Sequence, residues 1–263
     1  MMPECLLDKG KIKQAFTGAA QRYDAFAGLQ RQVGDTLLKK YPLQTQSGMV
    51  MDLGCGTGYL SQKMAAQSAK HSLLAVDIAL PMLQACRQKN KISPVAYVCA
   101  DAESLAFSAQ SMQQIYSNLA VQWCQNLDAV FAHCQRILKP DGQLVFSTFG
   151  PATLQELKTA WAAVDDYAHV NSFYCPLQIV EFLQVSGFVS IDYECINYQS
   201  VYPSVLALMQ ELKAIGAHNV NSGRNRRPTS RSQLQQMVAS YESTMMADTV
   251  LATYQIIFVR AGL

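Results

Sequence analysis

The chain is short of charge. Asp, Glu, Lys and Arg make up 15% of its 263 residues and nearly cancel, leaving a formal net charge of +2; an average soluble chain carries about 25%. With so little excess of one sign there is no global basic field to hold a nucleic acid, and any basic surface must be local. Long hydrophobic runs are also missing. Residues 250–259 are too few and too polar to cross a bilayer, which takes about 20 apolar residues. Residues 1–14 carry Glu4, Asp8 and three lysines, with no apolar stretch of the signal-peptide type. The eight cysteines (5, 55, 86, 99, 124, 134, 175 and 195) never fall two or three apart as metal-ligand pairs do. No metal is therefore expected, and the thiols read as apolar filler of a reducing compartment. The four histidines (71, 133, 169 and 218) are scattered and form no nucleophile–base or paired-carboxylate arrangement. These absences point to a cytoplasmic protein with neither nucleic acid nor membrane as partner.

What is present is apolar: 50% of the chain is hydrophobic, enough for a large core. Residues 49–150 alternate strand and helix. Strands are expected at 49–53, 73–78, 96–100, 114–119 and 144–149. Helices are expected at 59–68, at 82–90 after Pro81, and at 127–138, the last stopped by a turn at Lys139-Pro140-Asp141-Gly142. Such alternation implies parallel pairing through right-handed crossovers, hence an α/β fold with a doubly wound sheet. Three helical regions lie outside it: 11–41 before the first strand, 155–167 with 176–186 after the fifth, and 204–240 between two late strands at 190–202 and 251–259. No internal repeat or low-complexity linker divides the chain.

The most informative stretch is Asp52-Leu53-Gly54-Cys55-Gly56-Thr57-Gly58. A strand runs into alternate glycines and then into a helix, so backbone N–H groups are offered to a ligand that can approach closely. The spacing Gly-x-Gly-x-Gly departs from the dinucleotide fingerprint, and a carboxylate, Asp52, precedes the first glycine. A second acid, Asp77, ends the next strand 25 residues further on, where an acid accepts hydrogen bonds from both ribose hydroxyls of a nucleoside. A carboxylate in the loop repels a pyrophosphate but suits a cation. The expected ligand is an adenosine carrying positive charge in place of phosphates.

Here the sequence resembles the class I methyltransferases that use S-adenosyl-L-methionine. Asp52-x-Gly54-x-Gly56-x-Gly58 matches their first motif, and Val76-Asp77-Ile78 with Met82 matches the second. Asp101-Ala102 matches the position that faces the adenine. Within that superfamily, Ser117-Asn118-Leu119-Ala120-Val121-Gln122-Trp123-Cys124 resembles the malonyl-acyl-carrier-protein O-methyltransferases of biotin synthesis. So do Ala15-Phe16 with Tyr23-Asp24 and Leu29-Gln30-Arg31, Leu212-Lys213-Ala214-Ile215-Gly216-Ala217, and Thr229-Ser230-Arg231-Ser232-Gln233-Leu234. The resemblance runs from about residue 12 to the last strand. It implies one domain over 1–263 with a mostly parallel, seven-stranded sheet. N-terminal lid helices would occupy 11–41, the cofactor-binding core 49–150, substrate and carrier-protein recognition elements 151–250, and the last strand 251–261.

The resemblance also implies roles. Asp52, Gly54, Cys55, Gly56, Gly58, Asp77, Ile78, Met82, Asp101, Ala102 and Asn118 would hold the cofactor, with Tyr23 closing over it from the lid. Asn118, Gln122 and Trp123 would line the methyl-transfer pocket beside Tyr23. Lys213, Arg224, Arg226, Arg227 and Arg231 form a local basic cluster, with no acid between Lys213 and Arg231. It suits an acidic acyl-carrier protein loaded with malonyl. Asp165 and Asp166 read as a solvated helix end without a chemical role. Two alternatives use the same motifs: a methyltransferase for a small carboxylic acid or quinone precursor, and a non-catalytic cofactor-binding protein.

Overall fold

The computed structural model describes residues 7–44, 47–67, 72–90, 94–217, 229–245 and 249–263. Seven strands form one sheet: β1 (Met49–Leu53), β2 (Ser72–Asp77), β3 (Val95–Cys99), β4 (Met112–Asn118), β5 (Leu138–Phe149), β6 (Ser190–Tyr202) and β7 (Val250–Gly262), in the order β3-β2-β1-β4-β5-β7-β6. The first five pair in parallel, and β7 lies antiparallel between β5 and β6. This is the doubly wound, mostly parallel sheet that the alternation predicts. Strand order reverses between β1 and β4, so a crevice opens beyond their carboxyl ends.

Central strands covered on both faces need apolar residues on both, which is why β1, β2 and β4 are buried almost end to end. Alternate residues serve opposite layers. Val50, Tyr116 and Val145 pack against α3 (Gly28–Lys40), α4 (Tyr59–Gln67), α7 (Gln155–Ala162), α9 (Val205–Ala214) and α10 (Arg231–Ser243). Met51, Ile115 and Leu144 pack against α6 (Leu127–Ile137) and α8 (Pro176–Val185). The second crossover helix, α5 (Leu80–Lys89), carries Pro81 in its first turn, where the missing N–H costs nothing.

One local expectation fails. Lys139–Gly142 does not form a turn between α6 and β5; β5 begins at Leu138, directly after the helix. Leu138 pairs with Met112 and Gln143 with Gln114, so four residues of β5 bulge opposite one of β4. Pro140 sits in that bulge, where the ladder asks for no donor.

Two short helices, α1 (Lys9–Ala19) and α2 (Tyr23–Phe26), together with the start of α3, cover the carboxyl ends of the strands. Their attachments are polar. Lys9 Nζ lies 2.8 Å from both Asp101 Oδ2 and Glu103 Oε2 beyond β3. Asp24 accepts from the Thr57 hydroxyl of the glycine loop and pairs with Lys89 at the end of α5.

Candidate active site

The glycine loop is stitched to the end of β2. Gly54 N–H and Cys55 N–H both donate to the Val76 carbonyl, at 2.8 and 3.0 Å. Gly56 N–H donates to Asp77 Oδ2 at 2.9 Å, while Ala79 N–H donates to Asp77 Oδ1 at 2.8 Å. One carboxylate thus bridges the loop and the chain entering α5, and each oxygen keeps a further lone pair for a ligand hydroxyl. Burial pushes the Asp77 carboxyl up, and the two N–H groups oppose the shift. Gly56 has φ +53°, and open space lies where a Cβ would stand. Gly58 serves packing instead: with φ +87°, an added Cβ would meet Cys86 Sγ of α5 at 2.3 Å. It lines none of the three cavities described below.

Asp52 is 2% exposed and accepts from the Ser61 hydroxyl. Burial pushes its carboxyl up to about 7, with the Ser61 bond opposing and Asp77 adding. Its place under the loop leaves it within reach of a cation there, and a bound cation would reverse the shift. Contact with Cys86, and then burial, push the Cys55 thiol up, so it is no nucleophile at neutral pH.

Two small cavities flank Tyr23. The first is walled by Asp77, Ile78, Met82, Asp101, Ala102 and Trp123. The second is walled by Asp52, Cys55, Thr57, Gln30 and Arg31. Both also touch Tyr23, Gly54, Gly56 and Asn118. The donor set fits S-adenosyl-L-methionine. A carboxylate and apolar walls suit the nucleoside, Gly56 leaves its Cβ space open, and Asp52 and Arg31 offer opposite charges to the amino-acid end. Asp101 is not free to face an adenine alone, because Lys9 pairs with it from the lid.

A third cavity of about 580 Å³ opens on the far side of Tyr23. Trp123, in the 3-10 turn Val121–Trp123, separates it from the nucleoside cavity and stacks edge-on to Phe16 of α1 at 5.4 Å. Leu119 is also shared by both; it holds φ +50°, a strained value for a leucine. Gln122 lines the large cavity and donates from Nε2 to the Leu119 carbonyl at 2.6 Å, bracing that strained turn. Asn118 is spent on structure. Its Nδ2 donates to the Gln30 carbonyl and its Oδ1 accepts from Ser147 Oγ, each at 2.8 Å.

Of the basic cluster, Lys213 lines the large cavity, while Arg231 is exposed at the start of α10 and lies outside it. Arg224, Arg226 and Arg227 lie outside the described residues. Several site residues were not anticipated. Arg31 donates from Nη1 to the Asp24 carbonyl at 2.7 Å. Arg22 lines the large cavity with no carboxylate partner among the described residues. Asp165 is not solvated: its Oδ1 lies 2.8 Å from Nε2 of His169, which stacks on Trp161 at 3.7 Å and lines the large cavity. Single residues spread over 150 positions leave no spacing signature, so only the fold reveals them. Among the described residues no helix is long and apolar enough to cross a membrane.

A protein-family profile described as "Methyltransferase domain" matches residues 51–146. The chain is 40% identical over 253 residues to the malonyl-acyl-carrier-protein O-methyltransferase of Methylococcus capsulatus, covering 95% of this chain and 92% of that protein. It is 36% identical to the biotin biosynthesis bifunctional protein BioHC of Cellvibrio japonicus, covering 96% of this chain and half of that longer protein. In fold it is similar to Haemonchus contortus phosphoethanolamine N-methyltransferase 2 solved with S-adenosyl-L-methionine, with a TM-score of 0.57 at 18% identity over 91% of this chain and 56% of that one. On its sheet order, its glycine loop and these relatives, the chain belongs to the malonyl-acyl-carrier-protein O-methyltransferase family.

Proposed function

We propose that the protein transfers a methyl group from S-adenosyl-L-methionine to the free carboxylate of malonyl held on an acyl-carrier protein. The product is the malonyl methyl ester that primes pimeloyl synthesis for biotin. The observation that carries this reading is the large cavity meeting both cofactor cavities at Tyr23, with Arg22 and Lys213 in its otherwise mainly apolar wall. A long thioester arm fits the apolar stretch, and the cations suit an acidic acyl head.

Bound in the paired cavities, S-adenosyl-L-methionine supplies an electrophilic methyl on a sulfonium. The acceptor carboxylate, with a reference pKa near that of Asp at about 3.9, is already ionised at neutral pH, and no general base is needed. Tyr23 fits that requirement. Burial, then the charges of Asp77 and Asp24, push its phenol well above the ordinary value, so it stays protonated and can donate to the acceptor carboxylate. Phe16, Leu119 and Trp123 strip water from the carboxylate at the junction of the cavities. Closure of the lid would bring the reacting atoms to about 3 Å, and the lid would have to open for product to leave.

The division of labour follows: 11–41 closes over the cofactor, 49–150 binds it, 151–250 with Lys213 and Arg231 receives the carrier and its arm, and 251–261 completes the sheet. Arg224, Arg226 and Arg227, between Lys213 and Arg231 in sequence, would add to the positive charge that steers an acidic carrier. The cysteines form no disulfide among the described residues, which suits the cytoplasm.

Intact-mass measurement of malonyl-acyl-carrier protein incubated with enzyme and S-adenosyl-L-methionine tests the reading. A gain of one methylene, removed by mild ester hydrolysis, is the expected result. Cofactor binding without that gain would refute it and move the search to free acids and other small acceptors.

A further inference from the structure

In the wall of the large cavity, away from the cofactor, lies a polar side chain that the fold itself does not use. Asn171 is 8% exposed, its Oδ1 is fully buried with no hydrogen-bond partner, and its side chain makes no hydrogen bond among the described residues. It lines the large cavity but neither cofactor cavity. The chain around it, between α7 and α8, is irregular but packed on both sides. Two residues upstream, His169 is held by Asp165 and stacked within 5° of parallel on Trp161. Phe173, two residues downstream, packs on Phe149 at 5.3 Å. A buried amide left unpaired in a mainly apolar wall is a standing cost, and a turn of that amide toward the cavity lets a ligand with matching groups remove it.

The orphan atom selects the ligand. Oδ1 requires a donor, whereas a carboxylate or a thioester carbonyl can engage only Nδ2 and leaves Oδ1 unmet. A malonyl group has none. The pantetheine arm that carries it, in the reaction proposed above, has two amides, the nearer one two methylenes beyond the sulfur. We infer that Asn171 is a recognition residue for the amide of the thioester arm, its Oδ1 accepting the arm's N–H and its Nδ2 donating to the arm's carbonyl. Asn171 thereby distinguishes pantetheine thioesters from acyl groups on other carriers, at a point remote from the methyl being transferred.

The inference rests on the malonyl-thioester reading and is tested with two small substrates. One is malonyl-S-N-acetylcysteamine, which contains the nearer amide. The other is its isostere with a methylene in place of the amide nitrogen. The wild-type enzyme is expected to favour the amide by about 10- to 100-fold in kcat/KM, mainly through KM, because a site built for an N–H rejects the analogue lacking it. In Asn171→Leu that ratio should fall below about 3-fold, since neither substrate then meets a polar partner. Calorimetric affinity for S-adenosyl-L-methionine should be unchanged, which also shows that the variant folds. Equal use of both substrates by the wild type, or full discrimination retained in Asn171→Leu, overturns the assignment while leaving the methyltransferase reading intact. If the leucine variant fails to fold, Asn171→Ala is read by the same ratio in its place. No transfer to either substrate or to malonyl-acyl-carrier protein overturns the proposed reaction and this inference with it.

Discussion

Asn118, at the end of β4, donates from its side-chain amide to the backbone carbonyl of Gln30 in α3, 2.8 Å away, and so ties the floor of the site to its lid. The same amide accepts from Ser147 on β5. Asn118→Ala leaves the Gln30 carbonyl and the Ser147 hydroxyl without these partners, a loss of about 1–3 kcal/mol. The expected outcome is a Tm lower by roughly 2–8 °C in differential scanning calorimetry, together with weaker cofactor binding. A variant with unchanged Tm and a collapsed kcat would instead place Asn118 against the reacting atoms.

Asp77 is the acceptor that holds Gly56 N–H and Ala79 N–H together. Asp77→Ala removes both charge-assisted bonds and the expected ribose contact, each worth about 1.5–3 kcal/mol. S-adenosyl-L-methionine should bind at least about 10-fold more weakly by calorimetry, and Asp77→Asn should restore part of that loss. Unchanged affinity in the alanine variant would refute the ribose role.

The buried carboxyl of Asp52 titrates near 7 rather than in the ordinary carboxylate range. With its folded value above its unfolded one of about 3.9, its contribution to stability is fully present below pH 4 and is lost as pH rises through about 7. Urea unfolding of the apo protein between pH 4 and 8 should show that decline, and Asp52→Asn should flatten it. Binding of a cationic ligand favours the ionised form, so cofactor affinity should rise by about 10-fold from pH 6 to pH 8, with proton release at the lower pH. An affinity independent of pH in the wild type contradicts a cation beside Asp52.

Lys9 fastens α1 to Asp101 and Glu103 with its side chain 35% exposed, a setting in which ion pairs are worth at most about 1 kcal/mol. Lys9→Met should leave Tm within about 4 °C and speed cofactor release by no more than about 5-fold, followed through Trp123 fluorescence in stopped flow. A change beyond 10-fold would mean that Lys9 touches the ligand rather than only holding the lid.

Replacing Arg224, Arg226 and Arg227 together with glutamine should raise KM for malonyl-acyl-carrier protein and reduce its dependence on salt. Turnover of malonyl-S-N-acetylcysteamine should hardly change. An unaltered KM for the carrier-bound substrate would remove these arginines from docking.

Much of this was legible in the chain. Strand and helix alternate by local hydrophobic period, and a parallel sheet with one order of winding follows from short, right-handed crossovers. The glycine loop from Asp52 to Gly58 and its anchor Asp77 could be read because a strand-to-helix turn through positive-φ glycines is written in adjacent residues. What the tertiary structure alone decided is how side chains from distant segments are used. Gly58 meets Cys86 rather than a ligand, Asn118 is bound to Gln30 across 88 positions, and Lys139–Gly142 opens a bulge instead of a turn. Asp165 is drawn from solvent to His169, and Asn171 is buried in the cavity wall with no partner for its Oδ1 among the described residues. Such outcomes depend on which helices pack across the crevice and how closely. That packing is set by many small apolar contacts at once and by no single spacing in the sequence.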